Sequence, residues 1–112
     1  MLPFSRVTII GLGLIGSSIA RAVSKYMPGV RVTGYDADPD VRVRAQAIGL
    51  CDDIAYSGGA AVTDADLVIF CVPVGAMGAA AAEIAADLPH DAVVSDVGSC
   101  KESVAEQLMA AL

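Results

Sequence analysis

Tryptophan is absent from the 112 residues, and the rings of two phenylalanines and three tyrosines offer little aromatic area. A core must therefore be assembled from Val, Ile, Leu and Ala. Basic residues are also scarce. Seven lysines and arginines face thirteen acids, a net charge of −6. No basic stripe exists to neutralise phosphates, which excludes nucleic acid as a partner. The three cysteines, Cys51, Cys71 and Cys100, are odd in number and widely spaced. They make neither a disulfide framework nor a CxxC metal pair, so no metal site is expected and a reducing cytoplasm is the simplest compartment. Long hydrophobic runs are missing too. The longest, residues 67–82, is interrupted by Pro73, Gly75 and Gly78. It falls short of the ~20 residues that cross a bilayer, so no membrane partner is expected.

What is present is a 55% hydrophobic chain of one domain's length, too apolar for disorder. Residues 7–10 read as a short buried strand, β-branched and closed by glycine. Residues 14–26 read as a helix, with Ile15, Ile19, Ala22 and Val23 on its apolar face and Pro28-Gly29 as its stop. A second strand is expected over 30–35. Asp38-Pro39 then supplies a cap and a first-turn proline for a helix ending near Gly49. A short third strand is placed around Ile54, and a loop or single helical turn over 58–64. Residues 67–72 give the clearest strand, 76–87 an alanine-rich helix, 92–95 a fifth strand and 99–112 a last helix. Continuous apolar strands joined by helices imply an α/β domain with a parallel sheet covered on both faces.

The sharpest local signal is Gly11, Gly13 and Gly16, spaced G-x-G-x-x-G after the first strand and opening the first helix. Arg6 with the apolar stretch behind it and Ala20-Arg21-Ala22 loosely resembles a secretory leader, but glycines at fixed spacing suit a turn better. In a dinucleotide site each glycine has a physical task. The first permits a tight turn, the second lets a pyrophosphate approach bare backbone, and the third lets helix and strand lie close. Free N–H groups at the helix start then face the phosphates. Asp36 stands twenty residues after Gly16, at the end of the second strand, where a ribose-binding acid belongs. A carboxylate there accepts from both ribose hydroxyls and repels a 2′-phosphate, so NAD is expected in preference to NADP. The bland alternative is a glycine-rich turn in an ordinary α/β domain with Asp36 solvated. A methyltransferase also uses a glycine-rich first turn, but usually without the third glycine at this spacing.

The stretches IIGLGLIGSSIA, GYD, ADLVIFCVPV and SDVGSCK together resemble the N-terminal half of the prephenate dehydrogenases, including the arogenate and cyclohexadienyl forms. The resemblance spans nearly the whole chain. It implies a doubly wound, Rossmann-type NAD(P)-binding domain over residues 1–112. It also implies oxidative decarboxylation of prephenate to 4-hydroxyphenylpyruvate, or of arogenate to tyrosine, in a homodimeric enzyme. By that resemblance Gly11, Gly13, Leu14, Ile15 and Gly16 hold the pyrophosphate, Asp36 the adenosine ribose, and Val72 and Pro73 line the nicotinamide side. Ser99 contacts the substrate's reacting hydroxyl. Ser99 and Glu102 also form an S-x-x-E capping box, which explains the serine without any ligand.

His90 precedes the fifth strand and so falls at the edge away from the cofactor, where it reads as a surface residue. The family's catalytic histidine and its helical second domain belong to segments this chain does not contain. Residues 104–112 end inside an apolar helical pattern, so the polypeptide reads as a cofactor domain cut from a longer enzyme, expected to bind NAD weakly and to turn over nothing alone. Pyrroline-5-carboxylate reductases and 3-hydroxyacid dehydrogenases share the first glycine turn and a Val-Pro after the fourth strand. They remain alternatives, as does a free-standing Rossmann module that senses NAD without catalysis.

Overall fold

The structure, a computed structural model, describes residues 4–96. Five strands, β1 (Arg6–Ile10), β2 (Arg31–Tyr35), β3 (Asp53–Ile54), β4 (Leu67–Phe70) and β5 (Val93–Asp96), form one sheet in the order β3-β2-β1-β4-β5. All four pairings are parallel. Helices α1 (Leu14–Tyr26), α2 (Pro39–Ala47), α3 (Gly58–Val62) and α4 (Met77–Ile84) make the crossovers, with a 3₁₀ turn at Val74–Ala76 leading into α4. This is the doubly wound α/β architecture that the strand–helix alternation predicts. The expected last helix, with Ser99, Cys100 and Lys101, lies outside the described residues.

Period-two alternation sends each strand's side chains to opposite faces. Val7, Ile9, Leu67 and Ile69 enter a core shared with α1 and α2, beside Ile19, Ala20 and Val23. Ile10, Val68 and Phe70 enter a second core with Ala61, Val62 and Ile84 of α3 and α4. Because both faces are dry, residues 7–10 of β1 and all of β4 are continuously apolar but for Thr8. That side chain is 2% exposed, and its hydroxyl donates to the Ala61 carbonyl at 2.6 Å. The bond removes the cost of a lone buried hydroxyl. Each fully buried aliphatic side chain contributes about 1.5–3 kcal/mol.

Three expectations shift in register. The buried stripe of α1 is Gly16, Ile19, Ala20 and Val23. Ile15 is 40% exposed and Ala22 only half-buried, because the close seat of Gly16 on the preceding turn sets the helix's rotation. The fourth strand ends at Phe70, not Val72; Pro73 has no N–H for a ladder and the chain breaks into the 3₁₀ turn. The fourth helix is correspondingly shorter than expected, closing with an Asp87 N–H to Ile84 carbonyl bond at 3.1 Å. The Asp38-Pro39 start of α2 is as expected: the Asp38 side chain accepts from the Asp40 N–H at 2.9 Å. Among the described residues no helix is long and apolar enough to cross a membrane.

Candidate cofactor site

Strand order reverses beside β1: successive crossovers run outward to β2 and β3, then return to β4 on the other side. A crevice opens at the carboxyl ends of strands at such a point. Gly11 occupies it. Its N–H donates to the Tyr35 carbonyl of β2 at 2.7 Å, while the Cys71 N–H after β4 donates to the Ile10 carbonyl at 2.7 Å. Gly11 has φ +99°, and a Cβ there would stand 2.7 Å from the Cys71 carbonyl oxygen. Both facts demand glycine. A Cβ on Gly16 would run into the Gly11 carbonyl oxygen, so α1 can lie this near the turn only without a side chain.

Gly13 differs. It is exposed, and among the described residues nothing stands within 4 Å of where its Cβ would be. Neither the turn nor the packing requires glycine there; what its bareness leaves is room beside the backbone. Gly13 is the N-cap of α1, no side chain caps that helix, and its first turn holds no acid. Orphan N–H groups and the positive end of the helix dipole therefore face the crevice with no anionic cap among the described residues. The donor set and the open space fit a diphosphate. Leu14, 87% exposed, and Ile15 present apolar side chains at the same helix start.

Asp36 follows β2 and is half-buried. One carboxylate oxygen accepts the Leu12 N–H at 2.8 Å and the other the Asp38 N–H at 2.9 Å. Each oxygen keeps further acceptor capacity, enough for a pair of hydroxyls. Ser17 donates its hydroxyl to the Leu12 carbonyl at 3.0 Å, which braces the same turn. Val72, half-buried, brings its Cγ1 to 2.9 Å from the position of a Gly11 Cβ, and Pro73 is exposed next to it. The residues singled out from the sequence, Ser99 excepted, thus gather along one edge of the sheet.

The structure gives specific contacts to two residues that the sequence placed near Asp36 only as a strand end, Tyr35, and as a counter-charge, Arg42. Arg42 of α2 donates its Nη1 to the Asp36 carbonyl at 2.8 Å and to the Ala37 carbonyl at 3.4 Å. Its guanidinium carbon lies 5.6 Å from the centroid of the Tyr35 ring. Tyr35 is buried and reaches Glu83 of α4 at 3.4 Å; the other Glu83 oxygen accepts the Gly58 N–H at 3.0 Å. Burial first, then the Glu83 bond, pushes the Tyr35 phenol above its ordinary value, so it stays neutral. Arg42's charge and its place four residues into a helix capped at Asp38 were legible in the sequence, but neither says which partner it meets before the cap.

Other features lie elsewhere. His90 is exposed in the turn before β5, whose first residue Val93 pairs with Leu67 at the amino end of the sheet. It is remote from Gly11, as expected. Cys51 and Cys71 are pushed up to about 11 and about 12, by burial first and then by Asp52 and Asp96 respectively. Neither is a nucleophile at neutral pH. A groove of about 530 Å³ runs along the amino half of the sheet between Arg6, Arg31, Tyr56 and Asp64. Its arginines are paired, Arg6 with Asp64 at 3.6 Å and Arg31 with Asp53 at 2.6 Å.

The model of the family described as prephenate dehydrogenase, nucleotide-binding domain, matches residues 19–112. A cyclohexadienyl dehydrogenase of Zymomonas mobilis is 49% identical over 108 residues, covering 96% of this chain and 37% of that protein. A prephenate dehydrogenase of Bacillus subtilis is 38% identical over 101 residues, covering 89% of this chain and 27% of that one. Among solved structures, the prephenate dehydrogenase of Aquifex aeolicus in complex with hydroxyphenyl propionate and NAD+ superimposes with a TM-score of 0.78 at 30% identity, covering 99% of this chain and 39% of that one. The chain thus spans roughly a third of the length of these relatives.

Proposed function

Since this chain belongs to the prephenate dehydrogenase family, matching its nucleotide-binding domain, we propose that residues 1–112 are the NAD-binding part of an enzyme that oxidatively decarboxylates prephenate or arogenate. The observation that carries the reading is the pairing of an uncapped, open helix start at Gly13 with the Asp36 carboxylate bonded to the same turn through Leu12. A diphosphate at the first and a ribose at the second are held at one fixed separation.

The backbone amides from Gly13 to Gly16, those of Leu14 and Ile15 among them, would hold the pyrophosphate. Asp36 accepts from the adenosine ribose hydroxyls. Its charge, with Asp38 and Asp40 beside it, repels a 2′-phosphate, so NAD is preferred over NADP. Val72 and Pro73 shape the side on which the nicotinamide lies. When bound, the nicotinamide accepts the hydride released as the substrate loses CO₂ and becomes aromatic. Ser99, by the family resemblance, meets the reacting hydroxyl. His90 sits at the opposite edge of the sheet, so in this reading it is not the proton acceptor. The whole enzyme is a cytoplasmic homodimer in this reading. The family match supports it over the pyrroline-5-carboxylate reductase and 3-hydroxyacid dehydrogenase alternatives.

A chimera tests it. Placed in the Zymomonas mobilis enzyme in exchange for the matching 108-residue segment, this chain should sustain NAD+-dependent oxidation of prephenate or arogenate. A folded chimera that binds no NAD+ refutes the proposal.

A further inference from the structure

We propose that Arg42 is the platform on which the adenine ring of the cofactor stacks, and so a recognition residue for the purine itself. The inference rests on the NAD reading above and extends it. Phosphates over Gly13 and a ribose at Asp36 give the dinucleotide a direction, from β1 toward β2. A base joined to that ribose must lie within one sugar's width of Asp36, beyond the carboxyl end of β2. Among the described residues, the β2–α2 segment offers Tyr35, Ala37, Asp38 and Arg42 there. Tyr35 is 7% exposed, Ala37 has no flat surface, and Asp38 is engaged in capping α2.

Arg42 alone offers a planar group. Its edge is anchored by the Nη1 bonds to the carbonyls of Asp36 and Ala37. Its guanidinium carbon stands over the Tyr35 ring, 5.6 Å from the centroid. Tyr35 is in turn held by Glu83, which is tied to the Gly58 N–H. Arg42 is only half-buried, so a guanidinium fixed on one face and one edge keeps its other face for a ligand. A purine on that face would complete a stack of base, guanidinium and phenol. The rival role is a 2′-phosphate ligand. The geometry opposes it, because Nη1 is committed to two carbonyls and Asp36, Asp38 and Asp40 crowd the approach with negative charge.

The test is direct binding of NAD+, NADP+ and ADP-ribose to the purified chain, for the wild type, R42Q and R42K, with thermal midpoints alongside. Stacking predicts that R42Q weakens all three ligands by the same factor, about five- to tenfold. R42K, which keeps the charge without the plane, should recover none of this. Saturation transfer in the wild type should run from the Arg42 side chain to the adenine protons, a readout that needs no variant to fold. Unchanged affinity in R42Q, a loss confined to NADP+, full recovery in R42K, or no transfer to adenine would each overturn the inference. A wild-type chain that binds neither NAD+ nor ADP-ribose would remove the cofactor reading, and this inference with it.

Discussion

The N–H of Leu12 donates to the Asp36 carboxylate at 2.8 Å, across 24 residues of sequence. The bond joins the loop after β1 to the loop after β2. The turn proposed to hold the diphosphate and the acid proposed to hold the ribose therefore form one hydrogen-bonded unit.

The unit predicts a separation of roles among the glycines. Gly13→Val meets no neighbour within 4 Å at its Cβ, so its urea midpoint should stay near the wild type while NAD+ binding falls below detection in calorimetry. Gly16→Ala places a Cβ against the Gly11 carbonyl and should destabilise the fold by more than about 1–3 kcal/mol. Equal loss of stability in both variants would contradict the assignment.

Asp36 carries two effects that substitutions can separate. Asp36→Asn keeps an oxygen for one backbone N–H but loses the charge; NAD+ affinity should drop about tenfold and the preference over NADP+ should shrink. Asp36→Ala should in addition destabilise the chain by about 1–3 kcal/mol, because the Leu12 and Asp38 N–H groups lose their acceptor. An Asp36→Ala variant with wild-type stability and affinity would show that the carboxylate holds neither the turn nor the ribose.

Acid sensitivity should trace in part to Asp66. Its side chain accepts from the Ser5 hydroxyl at 2.8 Å and from the Ser5 and Arg6 N–H groups, each at 3.0 Å. These bonds, the Ser5 hydroxyl foremost, hold the carboxyl below its ordinary 3.8. A depressed native pKa means the stabilisation is present above the ordinary value and is lost as the pH falls through the native one. Asp66→Asn should therefore flatten the dependence of the urea midpoint on pH below about 4, and leave it parallel to the wild type near neutrality. A variant whose midpoint falls as steeply in acid as the wild type would exclude Asp66 as a contributor.

Thiol chemistry offers an independent check on packing. Cys51 and Cys71, raised to about 11 and about 12, should resist iodoacetamide at pH 8 in the native state. Both should alkylate readily in urea, with mass spectrometry reporting each site. Rapid native labelling of Cys71 would mean that the helix–turn contact around Gly16 is looser than described.

Much of the fold was legible because its determinants are local. A short β-branched run ended by glycine marked β1, a continuous apolar run marked β4, and Asp38-Pro39 marked the start of α2 to the residue. Where the determinant was a tertiary contact, the reading slipped. In α1, Ile19 and Val23 were read correctly, but Ile15 and Ala22 were placed where Gly16 and Ala20 are buried, because the stripe is set by how Gly16 sits on Gly11 and not by hydrophobicity alone. Two-residue β3 showed only faintly, since its pairing with Thr33 and Gly34 leaves almost no periodicity to read.

By itself, then, the sequence determined the glycine spacing, the acid twenty residues on and the strand–helix alternation, because turn geometry and side-chain periodicity are properties of neighbouring residues. Only the tertiary structure decided that Leu12 meets Asp36, that Arg42 settles over Tyr35 and that Gly13 faces open space. Those contacts depend on the parallel register of β1 with β2 and on how closely each helix seats against the sheet. Both are set by the packing of two cores assembled from segments far apart in the chain.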